Sequence, residues 1–414
     1  MRYVDSTILI VPLAAVAAPL LAALVRRVLV VPLVVFEIGL GMLVGPDGLG
    51  WVANTELLDT LSNLGLAMLF FMAGNEIDPA SLKGRVGTRA LGGWFVSAAI
   101  AVTAAAIIAD SVQATAIIAI ALTGTALGTI TPILRDAGLN RGPLGSAISA
   151  AGAVGEFAPL VAISVFLSGR QPLAGVLTLL LFLGVAALAF LVAARGQRRW
   201  LQRMVSATLH TSGQFAVRFV ICLLAALVSL AIALGIDFLL GAFTAGMLAK
   251  VVLRDGDPDE ERVIEAKLES IAFGFFVPLF FVTTGVSFPL AKLFEQPQTL
   301  ALVPVIALVM LLARGVPGFF APARGASFSD RRTSALFTAT TLPLVIAIAK
   351  IGTDSGAIDE QLAAALVGGG MLSVLLFPML ALLGRGRGAS SRRADSDGAE
   401  DPAEAQTLPM GAHE

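Results

Sequence analysis

Cysteine and histidine are almost absent from this chain, and their scarcity excludes several kinds of site. A single cysteine, Cys222, can form neither an internal disulfide nor a cysteine-based zinc site. The two histidines, His210 in a basic loop and His413 near the C-terminus, disfavour histidine catalysis and histidine metal ligation. Any chemistry must therefore rest on carboxylates, hydroxyl groups and backbone atoms.

Charge is equally scarce. Only 14% of the 414 residues are charged, and 28 basic residues are balanced by 29 acidic ones, so no basic surface for nucleic acid is expected. The sequence contains no P-loop, which argues against direct ATP drive, and no dinucleotide-binding glycine motif follows the apolar region. We therefore predict no enzymatic activity and no cofactor.

Apolar residues make up 57% of the chain, and the mean hydropathy is +0.88, which indicates a membrane protein. A span needs about 20 apolar residues, because a helix rises about 1.5 Å per residue through a hydrocarbon core of about 30 Å. The predicted fold class is an all-α polytopic membrane protein with about 13 transmembrane helices. The candidate spans are residues 7–25, 28–46, 57–74, 88–109, 112–134, 142–168, 172–194, 213–235, 237–252, 265–288, 299–320, 333–351 and 361–384.

The distribution of Lys and Arg predicts the orientation. The first apolar run is not preceded by the charged n-region of a signal peptide, and no small-residue cleavage site follows it. We therefore interpret this run as a retained span. With the N-terminus outside, 22 of the 28 basic residues fall in inward loops. The positive-inside rule thus predicts an integral protein of the cell (inner) membrane, with its N-terminus outside and its C-terminus in the cytoplasm.

A weak internal repeat divides the membrane region. A Leu-Phe-Phe motif at residues 69–71 recurs at 279–281, at an offset of 210, and Pro132 recurs as Pro343, at an offset of 211. The two copies begin seven spans apart and therefore enter the membrane in opposite directions. Inverted repeats of this kind mark secondary transporters, whose substrate sites lie near the midplane where paired helices are broken.

The repeat sets the predicted domain organisation. A transmembrane domain covers residues 1–384, with inverted repeats at about 28–168 and 237–384. The remaining tail, 385–414, is rich in small and acidic residues and is predicted to be disordered and cytoplasmic.

Glu156 lies near the centre of the predicted span 142–168. A charge at membrane depth costs roughly 2.5–3.5 kcal/mol on insertion scales, and a glutamate side chain is too short to reach the surface. We therefore predict that Glu156 alternately carries a proton and a monovalent cation, which is the only metal ion that the sequence predicts. The alternative is a protonated Glu that hydrogen bonds to a neighbouring helix as part of the packing.

Arg314 is the permanent cation closest to the middle of a predicted span, 299–320. We predict that it pairs with Glu156 when no substrate cation is bound, because the pair would leave neither charge isolated in a low dielectric. The alternative is a side chain that extends to the inner surface of the membrane.

Two symmetry-related spans contain hydroxyl-rich segments that end in proline. Residues 123–132 hold four Thr, two Gly and one Pro, and residues 338–343 repeat the pattern. Proline frees a carbonyl one turn back, and freed carbonyls with Thr oxygens suit a dehydrated cation. The alternative is Thr back-bonding at a proline kink without any ligand. The residues predicted to bind the ion are Thr125, Thr129, Thr131, Gly155, Glu156, Thr340 and Thr341.

The other acidic residues near the spans are given smaller roles. Glu37 lies mid-span beside glycines and is predicted to be a neutral interior acid, and Asp237 is predicted to cap a helix. The residues 75–78 are predicted to form a solvated turn at an inner helix end.

Four glycine-containing motifs occur in the predicted spans, at residues 37–46, 64–74, 240–246 and 278–285. Their order and spacing resemble those of the cation:proton antiporter superfamily, or sodium/hydrogen exchanger family. The resemblance covers residues 28–384 and is closest to the branch of the glutathione-gated potassium efflux proteins, without their C-terminal nucleotide-binding domain. In that branch a Leu-Gly pair precedes a Gln-Asp pair by a fixed interval.

Leu144-Gly145 precedes Gly155-Glu156 by the same interval. The resemblance implies that Glu156 is the ion-binding carboxylate, that Thr125 lies in the unwound part of a crossing helix, and that Arg314 lies where the family often has a basic residue. It also implies a six-helix core domain that moves against a dimerisation domain, and hence a homodimer. This chain departs from the family pattern in having Glu for Asp at 156 and glycine for a polar residue at 155.

Together these features predict a secondary active antiporter of Na⁺ or K⁺ and H⁺, with one proton exchanged per cation at Glu156. One alternative is a gated potassium efflux channel. Another is a proton-coupled transporter of a different solute, for which Gly155 would widen the site. The predicted partners are the two ions, the lipid bilayer and a second copy of the chain, and not nucleic acid.

Overall fold

The computed structural model describes residues 2–25, 31–77, 84–166, 172–195, 207–208, 213–254, 258–295 and 297–383. The helices that organise this part of the chain are α1 (Arg2–Val25), α2 (Leu33–Val44), α3 (Glu56–Glu76), α4 (Gly84–Ile108), α5 (Val112–Leu122), α6 (Leu127–Asp136), α7 (Gly142–Phe166), α8 (Pro172–Arg195), α9 (Phe215–Ala233), α10 (Phe238–Arg254), α11 (Pro258–Ile271), α12 (Val277–Val286), α13 (Leu290–Glu295), α14 (Pro297–Met310), α15 (Val316–Phe320), α16 (Phe328–Thr338), α17 (Pro343–Asp354) and α18 (Glu360–Leu382). Single turns of π-helix, Ala272–Phe276 and Leu311–Gly315, join α11 to α12 and α14 to α15.

The described residues confirm an all-helical polytopic fold. Eleven helices, with interrupted ones counted as one, are long and apolar enough to cross a membrane. Two shorter apolar helices, Leu33–Val44 and Phe238–Leu253, fall where the spans 28–46 and 237–252 were predicted. The two histidines and the tail 385–414 lie outside the described residues, so what was predicted for them remains a prediction.

The centre of the molecule is built from the two Thr-rich spans. Their apolar windows are 78% and 83% buried, against 17% for the windows in α1 and α8. Helices α1 and α8 therefore present apolar side chains outward, as lipid-facing helices do. The Thr-rich spans hold the interior instead, which is where polar groups must find partners within the protein.

Both Thr-rich spans are interrupted, at residues 123–126 and 339–342. Pro343 is the first residue of α17, and the residue before it, Leu342, is not helical, with φ −155° and ψ −57°. The first break is placed differently with respect to its proline, because Pro132 lies inside α6 rather than at the break. The two prolines predicted to correspond thus have different local roles.

The two breaks cross each other and satisfy each other's backbone groups. The Thr125 hydroxyl donates to the carbonyl of Thr338 at 2.6 Å, and the Ala126 N–H donates to the carbonyl of Thr340 at 2.9 Å. Since unpaired backbone groups are costly away from water, these bonds stabilise two breaks that neither span could hold alone. The crossing fixes the position of every group in the site described below.

Two groups of helices pack separately around this crossing. Helix α4 packs against α5 and α7, and α18 packs against α14, α16 and α17, while α2 packs on α12 and α3 on α10. The α3–α10 contact is backbone to backbone: a Cβ on Gly246 would lie 1.9 Å from the carbonyl oxygen of Phe71. Only glycine permits this approach, which holds α3 in a fixed position.

Candidate ion-binding site

Glu156 lies on α7 and reaches the crossing of the two breaks. Its side chain is only 5% exposed, and its carboxyl group accepts hydrogen bonds from the backbone N–H groups of Leu127 and Gly128 at the start of α6. A helix N-terminus carries a partial positive charge, so it favours an anion at this place. Within the described part of the chain, Oε2 of this carboxyl group is buried and has no hydrogen-bond partner.

A small cavity, too narrow in this structure to admit a water molecule, adjoins the carboxyl group. It is lined by Leu69, Phe70, Gly128, Thr129, Glu156 and Pro343. Because Pro132 has no N–H, the Gly128 carbonyl one turn earlier lacks that helical donor. The carboxylate, the Thr129 hydroxyl and the Gly128 carbonyl are oxygen donors of the kind that suits a hard cation.

Arg314 lies in the π-helical turn Leu311–Gly315 and is 3% exposed. Its Nε and Nη2 atoms donate to the Thr125 hydroxyl oxygen at 2.9 and 2.7 Å, and Nη2 also donates to the Ala151 carbonyl at 2.9 Å. Nη1 donates to the Ser97 hydroxyl at 3.3 Å. The guanidinium is therefore held inside the protein by neutral oxygen atoms, and it does not extend to the membrane surface.

The predicted ion pair between Arg314 and Glu156 is not formed in this structure. The ion pairs among the described residues are surface pairs, and none of them joins these two side chains. The reason is that Arg314 reaches the crossing on the Thr125 side, whereas the Glu156 carboxyl group faces the start of α6.

Gly155 provides the space for the guanidinium. A Cβ at this position would lie 2.3 Å from Nη2 of Arg314 and 2.7 Å from Oγ1 of Thr125. The sequence-based expectation that Gly155 widens the site is therefore wrong, since the arginine fills the volume that a side chain would take. Its carbonyl is also engaged, because it accepts a hydrogen bond from the Thr125 N–H at 3.0 Å.

The predicted Thr ligands have different environments. Thr125 is close to the site but saturated, since its hydroxyl donates one bond and accepts two from Arg314, which leaves no lone pair for a cation. Thr129 lines the Glu156 cavity. The hydroxyls of Thr131 and Thr340 donate to backbone carbonyls of their own helices, at 2.9 and 3.0 Å. The Thr341 hydroxyl is buried beside the Gly124 backbone, without a partner among the described residues.

Two weaker predictions can be placed. Glu37 is buried, at 3% exposure, on α2, which packs against α1, α12 and α18. Asp237 accepts a hydrogen bond from the Leu239 N–H at 2.9 Å just before α10, as expected of a residue that caps a helix start.

The prediction of a solvated turn at 75–78 is wrong for the part that the structure describes. Asn75 is 4% exposed, and Glu76 carries a buried Oε2 atom without a hydrogen-bond partner among the described residues. Glu76 is near enough to Glu156 for their charges to interact. The long apolar run before it was the available signal, since Glu76 ends the same helix that contributes Leu69 to the cavity.

A larger cavity of about 400 Å³ lies at the other end of α3, between α3 and α12 on one side and α17 and α18 on the other. Its polar lining includes Asp59, Asn63, Thr283, Lys350, Asp354 and Glu360. Its apolar lining includes Leu66 and Ile346, each about one helical turn from Leu69 and Pro343 of the Glu156 cavity. A thin apolar layer therefore separates Glu156 from this cavity.

Residues 13–382 match the family model described as sodium/hydrogen exchanger, transmembrane. The chain is 28% identical to YjbQ of Bacillus subtilis (strain 168) over 384 residues. This alignment covers 87% of this chain and 60% of YjbQ. It is 25% identical to the Na(+)/H(+)-K(+) antiporter GerN of Bacillus cereus over 358 residues. This alignment covers 84% of this chain and 88% of GerN. The chain thus spans less than two thirds of YjbQ but most of GerN.

A solved structure gives the same picture of the fold. The sodium proton antiporter MjNhaP1 from Methanocaldococcus jannaschii, at pH 8, superimposes with a TM-score of 0.63 at 16% identity. The alignment covers 92% of this chain and 96% of that one. At this level of identity the likeness concerns the fold.

Proposed function

Because this chain belongs to the sodium/hydrogen exchanger family, we propose that it is a secondary active antiporter that moves Na⁺ or K⁺ out of the cell in exchange for an entering proton. In this proposal the protein acts as a homodimer in the cell membrane, with its N-terminus outside and its C-terminus in the cytoplasm. The inverted repeats at about 28–168 and 237–384 supply the two broken helices that cross at the site.

The environment of Glu156 is the observation that carries the proposal. Its carboxyl group is buried at the start of α6, with one oxygen unpaired among the described residues and a small cavity beside it. An unneutralised charge is costly in this low-dielectric position, so the site is stable when the carboxylate holds either a proton or a cation. The two ions then compete for one group, and this competition couples their movements.

The arrangement of the two cavities supports alternating access. In the proposed orientation, the 400 Å³ cavity opens outward, and its acidic lining attracts cations. The apolar layer at Leu66 and Ile346 closes the path from this cavity to Glu156. Access then requires the helices on either side of the layer to move, which keeps the ion from crossing freely.

A single titrating carboxylate gives the simplest stoichiometry of one proton per cation. Such exchange moves no net charge and gains nothing from a membrane potential worth roughly 2.3 kcal/mol per charge per 100 mV. Arg314 is compatible with this stoichiometry, because its bonds to Thr125 and Ala151 keep one fixed positive charge at the crossing.

The two alternatives have less support in the structure. A channel needs a continuous path, whereas Glu156 is 5% exposed and separated from the outer cavity by apolar side chains. Transport of a different, larger solute would need free space beside Gly155. The Arg314 guanidinium fills that space.

Reconstitution of the purified protein into liposomes with an internal pH dye tests the proposed function. We expect Na⁺ or K⁺ added to acid-loaded vesicles to drive proton movement, whereas choline should give no response. Na⁺-driven flux should be unchanged when valinomycin and K⁺ set a membrane potential, because one-for-one exchange carries no charge. Cation flux that needs no proton movement and follows the potential would identify a channel and overturn the antiport proposal.

A further inference from the structure

A second carboxylate, with one buried oxygen, lies on the opposite side of Glu156 from the 400 Å³ cavity. Glu76 is the last residue of α3, whereas the large cavity is lined by residues near the start of α3, such as Asp59. Leu69, which lines the Glu156 cavity, precedes Glu76 by seven residues. Seven residues make about two helical turns, or about 10 Å, so both residues lie on the same face of α3.

Helix α6 connects the two carboxyl groups from the other side. Its first turn donates backbone hydrogen bonds to Glu156 through Leu127 and Gly128, and Thr131, three residues after Gly128, brings its side chain next to the Glu76 carboxyl group. Residues three apart are neighbours on a helix surface. The α3 and α6 faces therefore run together from Glu156 to Glu76.

The surroundings of Glu76 lead from the protein interior to solvent. Arg135 on α6 and Lys250 on α10 attract its charge, whereas Glu269 on α11 and Glu156 on α7 repel it. Arg135 and Glu269 are exposed and Lys250 is half-buried, so this end of α3 borders water. The Oε2 atom of Glu76 is nevertheless buried and unpaired among the described residues.

The neighbouring residue adds a second unused oxygen. Asn75 is 4% exposed, and its Oδ1 atom is buried without a hydrogen-bond partner within the described ranges. Buried polar atoms are nearly always paired, so two unpaired oxygens on consecutive residues call for a missing partner. For Glu76, whose carboxylate offers a charged oxygen, a cation is a chemically suitable partner.

We propose that Glu76 is a second ion-binding carboxylate, which receives the cation from the cytoplasm and passes it to Glu156, and accepts the proton on its way inward. This inference rests on the proposed antiport at Glu156. A cation that moves from water to a fully buried site must lose its hydration shell, and an intermediate carboxylate divides that loss into two steps. Glu76 would act on the cytoplasmic side only, because the other route to Glu156 leads through the 400 Å³ cavity.

Transport by Glu76→Gln, measured separately from each face, tests this inference. Inside-out vesicles present the cytoplasmic face to added Na⁺, and right-side-out vesicles present the external face. We expect the half-saturating Na⁺ concentration at the cytoplasmic face to rise about tenfold, the effect of losing one charged ligand, with little change at the external face. Glu76→Asp, which keeps the charge on a shorter side chain, should show a smaller rise.

Glu269→Gln is the matched control, since it removes an exposed carboxylate from the same neighbourhood without touching Glu156. It should behave as the wild type from both faces. Equal values for Glu76→Gln and wild type at the cytoplasmic face, or an equal rise at both faces, would overturn the role of Glu76 and leave the antiport proposal standing. Absence of proton-coupled flux in the wild type would instead overturn the antiport proposal itself.

Discussion

Glu156→Gln is expected to reduce cation-driven proton flux to the level of protein-free liposomes. Gln has the size of Glu, and its carbonyl oxygen can accept hydrogen bonds from the N–H groups at the start of α6. It neither releases a proton nor offers a negative charge to a cation. Both half-reactions are therefore lost together, whichever of Na⁺ and K⁺ is supplied. The measurement is the dye response in proteoliposomes over a range of cation concentrations and pH values.

Glu37→Gln provides the control for that experiment. Glu37 is as buried as Glu156, at 3% against 5% exposure, but it lies on α2, which packs against α1, α12 and α18. Its replacement should leave the flux close to that of the wild type. Full activity of Glu156→Gln, in a protein whose thermal unfolding matches that of the wild type, would show that Glu156 is not the exchange site.

Gly155→Ala is expected to cause the largest effect of any single methyl group added to this site. The new Cβ would lie 2.3 Å from Nη2 of Arg314, so the guanidinium must give up its bonds to Thr125 and Ala151. Leaving a buried charge without partners costs about 3–5 kcal/mol. We expect a clear fall in the thermal unfolding temperature in detergent, together with at least about a tenfold loss of flux.

Gly184→Ala is the matched substitution, because a Cβ at Gly184 on α8 would meet no atom of the other described residues within 4 Å. Alanine also favours a helix over glycine, so this variant should be at least as stable as the wild type and equally active. If Gly155→Ala unfolded and transported like Gly184→Ala, the guanidinium would have room to move aside. The assignment of Gly155 as the space for Arg314 would then fail.

The overall architecture could be predicted because membrane insertion leaves a strong pattern in the sequence. Apolar runs marked the spans, and the Thr-rich segments marked the two interrupted helices that cross. The exact location of the first break was not predictable from Pro132, since α6 continues through that proline. Local sequence shows that a helix is weak, whereas the point of interruption depends on the partner that satisfies its backbone.

The site was predicted less completely, and Arg314 shows why. The sequence places one cation and one carboxylate at membrane depth, and electrostatics alone favours pairing them. The structure instead gives the guanidinium three neutral oxygen partners, on Thr125, Ala151 and Ser97. Which oxygens surround a charge depends on how three helices meet, and spacing along the chain carries no information about that.

Glu76 was missed for a related reason. A polar residue at the end of an apolar run is usually solvated, and the apolar run itself, the available signal, precedes solvated and buried residues alike. Its position follows from the close α3–α10 contact and from α6, both of which are tertiary features.

The glycine contact between α3 and α10 also limits how these two helices can move relative to each other. Where two helix backbones are in direct contact, as at Gly246 and Phe71, one helix cannot slide past the other without disrupting the close packing. The lining of the Glu156 cavity is different, because Leu69 and Phe70 of α3 and Pro343 of α17 contribute apolar side chains there, and apolar contacts have no fixed direction. Glu76 on α3 is thereby tied to α10 through a rigid backbone contact, whereas the surface next to Glu156 is closed by apolar packing.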